Sequence, residues 1–245
     1  MKQYLHKKTT FSGIDVIILA GGLGTRLRPI ISDRPKVLAE VGGRPFLDMV
    51  IEDLFEMGFG RIILSVGHLK DQIKNHYAEK GILFAEEENP MGTGGGVKNA
   101  ESLVQSDHLL VINGDSWIVG GADLSTFHDF HEEKNSLVTV ALSRPRSEKD
   151  YGAIFLDENN KIVKFTEKNG GGKGHFLSAG IYLMKKNVFS RMPNGPFSLE
   201  VDFFPSLIGD PFYGFMIGGE VIDIGTPERY LSAQKIFKKD YLGPA

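Results

Sequence analysis

The sequence has no cysteine. That excludes disulfides and thiolate metal sites and suits a reducing cytoplasm. It also lacks a charge excess: 28 Lys and Arg stand against 31 Asp and Glu, for a formal net charge of −3. No global field therefore draws the chain to nucleic acid or to a membrane surface. Long apolar runs are missing too. The first run, Val16 to Ala20, is cut off by Gly21. It is too short for a membrane span or a signal-peptide core. Met1 to Gly13 carries basic residues with no such core behind them, and is expected to be a polar leader ahead of the fold. There are no internal repeats and no long linker. The 245 residues, 41% of them hydrophobic, suffice for one sizeable α/β domain.

The most informative residues follow the first apolar run: Ala20-Gly21-Gly22-Leu23-Gly24-Thr25-Arg26-Leu27-Arg28-Pro29, then Pro35-Lys36. A buried strand ending at Leu19 empties into a glycine-rich turn that carries fixed cations. Glycines let backbone N–H groups approach a phosphate with no Cβ in the way. Arg26 adds a planar fork matched to phosphate oxygens, and Lys36 adds a point charge. The turn is suited to a polyphosphate at the carboxyl end of the first strand, where open α/β sheets bind ligands. A dinucleotide fingerprint is excluded, because Leu27 stands where its last glycine belongs. A Walker loop is excluded because no Gly-Lys-Ser/Thr occurs.

Strand and helix signals alternate through the first half. Strands are predicted over 16–20, 61–66, 82–85 and 109–113, and helices over 45–57, 69–80 and 94–104. The second half changes character. Strands are predicted over 137–142, 179–184 and 221–224, a hairpin over 153–156 and 161–165, and a short helix over 197–207. Thr226 caps a last helix with Pro227 at its first position. The fold class is α/β: a mixed, mostly parallel sheet flanked by helices. One domain over residues 14–240 is expected, with a nucleotide-binding half (about 14–120) and a more antiparallel half (about 135–240).

The string G-G-x-G-T-R-L-x-P, with P-K following, resembles the signature of the sugar-1-phosphate nucleotidyltransferases, or NDP-sugar pyrophosphorylases. The likeness runs from Ile14 to about Phe237. It implies a Rossmann-like sheet of the nucleotide-diphospho-sugar transferase type, and as partners a nucleoside triphosphate and a sugar 1-phosphate. No hexapeptide repeats of the C-terminal β-helix found in some relatives occur, so acetyl transfer is not expected.

Asn113-Gly114-Asp115-Ser116 places a carboxylate after an apolar strand, as a Mg²⁺ ligand would need. An Asp in a strand-end turn is also common, and the resemblance is what implies the metal. Asp223 lies inside the apolar string Val221-Ile222-Asp223-Ile224 and needs a partner. That partner is a salt bridge, a buried hydrogen bond, or the Mg²⁺ that the resemblance implies. Glu86-Glu87-Glu88 would ordinarily be a solvated loop. In the family this segment, through Gly92-Thr93-Gly94, reads the nucleobase, which implies Glu87 as the reader and Gly92 as a backbone contact. A carboxylate matches guanine N1–H and N2–H₂ together and no other base, so GTP is the expected donor.

The resemblance further implies that Glu167 binds sugar hydroxyls and Lys168 the sugar phosphate. Tyr151-Gly152 and Ser178-Ala179-Gly180-Ile181-Tyr182 resemble acceptor-site segments, although many relatives have Asn where Ser178 stands. Arg26, Lys36, Asp115, Asp223 and Lys168 thus form the expected catalytic set. Leu19, Ala20, Gly21, Gly22, Gly24, Thr25, Glu87 and Gly92 join the nucleotide site, and Gly152, Glu167 and Ser178 the sugar site. Within the family, N-G-D-S, P-M-G-T-G-G, E-K-N and D-I-G-T-P-E-R-Y most resemble guanylyltransferases acting on D-glycero-α-D-manno-heptose 1-phosphate. A hexose 1-phosphate enzyme using UTP, dTTP or GTP, and a binding subunit without catalysis, are the alternatives. Trp117 is expected to pack. His128 and His131 share a helical face and are expected to be solvated rather than ligating.

Overall fold

The computed structural model describes residues 11–119, 122–145, 153–166 and 175–241, with side chains through Phe237. Strand β1 (Ile14–Leu19) is apolar along nearly its whole length because it runs mid-sheet, covered on both faces. A small hairpin, β2 (Glu40–Val41) and β3 (Arg44–Pro45), leads into α1 (Phe46–Glu56), then β4 (Arg61–Val66) and α2 (Lys70–Tyr77). There follow β5 (Leu83–Glu86), α3 (Gly92–Asn99), β6 (His108–Asn113), β7 (Ser116–Val119) and α4 (Leu124–Glu133). The second half holds β8 (Val138–Ser143), the hairpin β9 (Ala153–Leu156) and β10 (Ile162–Thr166), and β11 (Leu177–Lys185). It ends with β12 (Phe212–Met216), β13 (Glu220–Asp223) and α5 (Pro227–Tyr241).

The main sheet has the order β12-β8-β11-β6-β1-β4-β5. It is parallel through β6-β1-β4-β5 and between β12 and β8, and β11 enters reversed against both β6 and β8. That reversal is the antiparallel character expected of the second half. Alternation along the strands feeds two cores. Val16, Ile18, Leu110 and Ile112 join the core that α1 and α5 cover; Ile17, Leu109 and Val111 join the one under α3 and residues 199–207. In α1 the buried positions Phe46, Leu47, Val50, Ile51 and Leu54 make one stripe. Burying each such side chain stabilises by roughly 1.5–3 kcal/mol, so packing rather than propensity holds the helix.

Several expectations shift. The helix predicted from Leu69 begins at Lys70, because Leu69 sits at φ 55°. The predicted 94–104 helix divides into α3 and a 3₁₀ turn, Glu101–Leu103. The predicted 197–207 helix is a π turn (Leu199–Phe203) running into a 3₁₀ turn (Phe204–Leu207). Pro205 removes an N–H that a regular helix would use. Phe11, assigned to the polar leader, is buried and stacks on Phe59 with ring centroids 4.7 Å apart. Its large apolar surface outweighs the polar character of the stretch around it. Among the described residues no helix is long and apolar enough to cross a membrane.

Two placements matter for chemistry. The carboxyl ends of β1, β4, β5 and β6 open to one side of the sheet. Apart from that sheet, β7 and β13 form a two-stranded antiparallel ribbon with Asp223 opposite Ser116.

Candidate active site

The chain leaves β1 at Leu19 and is pinned there on both sides. Ala20 N–H donates to the Ser65 carbonyl at 2.8 Å, and Gly114 N–H donates to the Leu19 carbonyl at 3.0 Å. The turn that follows walls a cleft of about 540 Å³. Leu19, Ala20, Gly21, Gly22, Arg26 and Lys36 all line it. Gly24 and Thr25 do not; Gly24 lies behind, against the Lys36 side chain, and Thr25 is exposed.

Asp115 and Asp223 meet on the cleft floor, brought together by the ribbon. Gly225 shows how closely: a Cβ there would lie 2.9 Å from Asp223 Oδ1, 3.2 Å from Asp115 Oδ2 and 3.7 Å from Arg26 Nη2. Lys36 Nζ donates to Asp115 Oδ2. Asp223 accepts from Gly225 N–H at 2.6 Å and from Arg229 Nη1 at 3.2 Å. Burial, and then the Asp115 charge beside it, hold the Asp223 carboxyl above its ordinary range. Lys36, Arg229 and Arg26 stand around the two carboxylates, so anionic oxygen and fixed cations alternate there.

Glu87 also lines the cleft and is 9% exposed. Its Oε1 accepts from Ser65 Oγ at 3.0 Å and its Oε2 from Met91 N–H at 3.1 Å. Each carboxylate oxygen retains further acceptor capacity. Small neighbours leave room for the carboxylate: a Cβ at Gly96 would come within 2.8 Å of Glu87 Oε1. Gly92, at φ 71°, also lines the cleft, and a Cβ there would strike the Phe197 carbonyl at 2.5 Å. That carbonyl instead accepts from Gly94 N–H at 2.9 Å, closing the start of α3.

A polar network on the far wall escaped the sequence reading. Glu200 Oε1 accepts from Tyr182 Oη at 3.0 Å, and Glu200 Oε2 accepts from Thr93 Oγ1 at 2.7 Å and Ser198 Oγ at 3.0 Å. Ser178, assigned to the sugar site, donates to Tyr182 Oη at 3.2 Å and lines the cleft. Burial, reinforced by the Glu200 charge, pushes the Tyr182 phenol well up. Asn113 also lines the cleft, and its buried Oδ1 has no partner. The only sequence signal for Glu200 is Ser198 two residues earlier, which reads as an ordinary N-cap. Tyr151, Gly152, Glu167, Lys168 and the loop Asn169 to Gly174 lie outside the described residues. Trp117 packs as expected, 2% exposed, with Nε1 donating to Asp53 Oδ2 at 2.6 Å. His131 does not: it is fully buried rather than solvated, because α4 turns that face onto β6 and β8.

Known proteins resemble this arrangement over nearly the full chain. The sequence is 32% identical over 227 residues to the mannose-1-phosphate guanylyltransferase of Mycobacterium tuberculosis, covering 89% of this chain and 63% of that protein. It thus spans under two thirds of that relative's length. It is 31% identical over 228 residues to the D-glycero-alpha-D-manno-heptose 1-phosphate guanylyltransferase of Aneurinibacillus thermoaerophilus, covering 91% of this chain and 97% of that one. The crystal structure of HddC from Yersinia pseudotuberculosis superposes with a TM-score of 0.78 at 32% identity, covering 92% of this chain and all of that one. A second HddC structure, complexed with GMP-PN, superposes with a TM-score of 0.76. The profile described as nucleotidyl transferase matches residues 15–240, from the first strand to the last helix. With its glycine turn after the first strand and its aspartates brought together by the β7–β13 ribbon, the chain belongs to the nucleotidyl transferase family.

Proposed function

We propose that this chain transfers the GMP moiety of GTP to D-glycero-α-D-manno-heptose 1-phosphate, releasing pyrophosphate and forming the GDP-sugar. The observation that carries this reading is one cleft lined both by Glu87 and by the cluster of Arg26, Lys36, Asp115 and Asp223. In this reading a nucleotide lies in the cleft with its base at Glu87 and its phosphates at the cluster. The choice of sugar is supported by the likeness of the chain's motifs to heptose 1-phosphate guanylyltransferases and by the relatives' names, which share the manno configuration.

In the reaction a sugar-phosphate oxygen forms a bond to the α-phosphorus of GTP, and the bridging oxygen to the β-phosphorus leaves with pyrophosphate. No general base is required, because a phosphate monoester is already an anionic nucleophile near neutral pH. The protein's task is to align two anions that repel each other and to neutralise developing charge. Arg26 and the turn's backbone N–H groups hold the triphosphate. Lys36, held beside Asp115, places its ammonium at the same phosphates. Lys168 is assigned the sugar phosphate, and Glu167, Gly152 and Ser178 the sugar hydroxyls. Asp115 and Asp223 offer hard oxygen donors around a residue with no side chain, a donor set that fits Mg²⁺. Bound there, the ion would supply charge neutralisation for the phosphate oxygens.

Pyrophosphate release tests the proposal, with GTP, UTP, dTTP and ATP assayed against heptose, mannose and glucose 1-phosphates. The fastest turnover is expected for GTP with the heptose. Faster turnover with mannose 1-phosphate would move the assignment to a hexose enzyme. Binding without release in every combination would leave only a binding subunit.

A further inference from the structure

We propose that this protein carries a second metal site, for a borderline transition metal such as Zn²⁺, formed by His108, His131 and Glu132 at the amino end of β6. The site is remote from the cleft. His108 opens β6 and Asp115 follows its other end, a separation of roughly 20 Å at a strand's rise per residue.

Three observations converge on it. One ligand atom from each residue lies within 4.8 Å of the other two. His131 is fully buried, with Nδ1 2.7 Å from Thr139 Oγ1 and Nε2 without any partner. His108 stands over it edge-on, ring centroids 5.4 Å apart, and its Nε2 is 3.1 Å from Glu132 Oε1. The unpartnered Nε2 is the telling atom. A buried polar nitrogen without a partner is costly, and folded proteins rarely leave one so. In the tautomer whose Nδ1–H donates to Thr139, the unpartnered Nε2 carries the lone pair that a metal would take. A hydroxyl or carbonyl that fixes the tautomer from behind is the usual support of a metal-binding histidine.

The ligand types suit the ion. Imidazole and carboxylate bind Zn²⁺ at about 2.0–2.2 Å, which places tetrahedral ligands roughly 3.4 Å apart. Closing from the present spread needs only the two rim side chains to move, since His108 is 23% and Glu132 47% exposed. His131 stays fixed by packing. Solvent on the Glu132 side supplies a water as fourth ligand. Occupied, the site would tie α4 to β6, with β8 joined through Thr139. Its role would be structural.

Calorimetric titration of EDTA-treated, dialysed protein with Zn²⁺, in excess Mg²⁺ to occupy hard-oxygen sites, tests this. One equivalent of Zn²⁺ should bind, and Co²⁺ should give the visible bands of a four-coordinate site. His131→Asn can simply unfold the chain, so the deciding variants are the rim changes His108→Gln and Glu132→Gln. Each should weaken Zn²⁺ binding about tenfold or more while leaving zinc-free turnover with GTP, sugar 1-phosphate and Mg²⁺ unchanged. Zn²⁺ at a hundredfold excess over Kd should raise the parent's Tm by about 5 °C or more and the variants' by much less. Absence of stoichiometric binding by the parent would overturn the proposal. So would equal affinity in the parent and both variants. Either would return His131 to the status of a packing histidine beside an ordinary His–Glu pair.

Discussion

Replacing Glu87 by glutamine tests the base-reading role proposed for it, and the structure fixes how the new amide must sit. Met91 N–H points at Oε2, so the amide oxygen is held there and the NH₂ turns to Ser65 Oγ, which can accept. The face left for the base then offers one acceptor and one donor where the carboxylate offered two acceptors. Guanine presents two donors on that edge, N1–H and N2–H₂. One hydrogen bond is lost, and a donor faces a donor. A hydrogen bond to a charged group contributes about 1.5–3 kcal/mol, which is about 10- to 150-fold in kcat/KM at 1.4 kcal/mol per tenfold. The contacts to Ser65 and Met91 survive, so thermal stability should scarcely move. The gap to UTP and dTTP should narrow, because an amide complements their N3–H and adjacent carbonyl. ITP keeps N1–H and lacks the 2-amino group, so with the parent enzyme it should fall between GTP and ATP. Steady-state kinetics on GTP, ITP, ATP and UTP decides the matter. A parent that prefers UTP or dTTP, or that treats ITP and GTP alike, would refute the bidentate role of Glu87.

Asp115→Asn and Asp223→Asn should each lower kcat by about a hundredfold or more with the fold retained, and EDTA should abolish turnover; full activity in any of these would exclude the paired-carboxylate metal role. Lys36→Ala should weaken GTP binding measured without sugar, whereas Lys168→Ala should spare it and raise KM for the sugar 1-phosphate; equal losses in calorimetry would mean that the cleft is wrongly divided. Asp48 offers a pH test away from the site. Burial works to raise its carboxyl, but hydrogen bonds from Tyr77 at 2.7 Å and His76 at 2.8 Å win and hold it below 3.8. A depressed folded pKa contributes stability above 3.8 that is lost as pH falls through the folded value. Asp48→Asn should therefore cost about 1–3 kcal/mol in urea unfolding at pH 7 and progressively less toward pH 3, and a constant difference across that range would count against the pairing.

The parallel half of the fold was legible because its strands are short apolar runs separated by amphipathic helices, and Arg61–Val66 agrees residue for residue. Other elements are hidden in their own sequences. Ser116–Val119 follows Asn-Gly-Asp so closely that it reads as the tail of a turn, and only pairing with Glu220–Asp223 makes it a strand. Phe212–Met216 contains Gly214, where a Cβ would strike Leu142 at 2.5 Å, so a residue that weakens strand propensity is there to let the sheet be covered. Helix α4 looks amphipathic with a histidine-bearing wet face, and nothing local reveals that β6 brings His108 up against it. At the candidate site the glycine turn and both aspartates stood out by type and place. Glu200 did not, since its meaning comes from Tyr182 and Thr93, remote in sequence. The sugar-side residues Gly152, Glu167 and Lys168 remain as expected from the resemblance alone.

The β7–β13 ribbon gives the order of synthesis a chemical meaning. Asp115 and the phosphate-binding turn belong to the part of the chain made first, and that part can begin to order as it emerges. Asp223 follows more than a hundred residues later, and Ser116 meets it only when Glu220–Asp223 pairs with β7. A nascent chain on the ribosome therefore holds a half-built cleft, with one carboxylate of the pair and no floor at Gly225. Strand β13, made after every strand of the main sheet, completes the aspartate pair. A chain stalled before Glu220 would lack the aspartate pair and, on the proposed mechanism, would be inert rather than partly active.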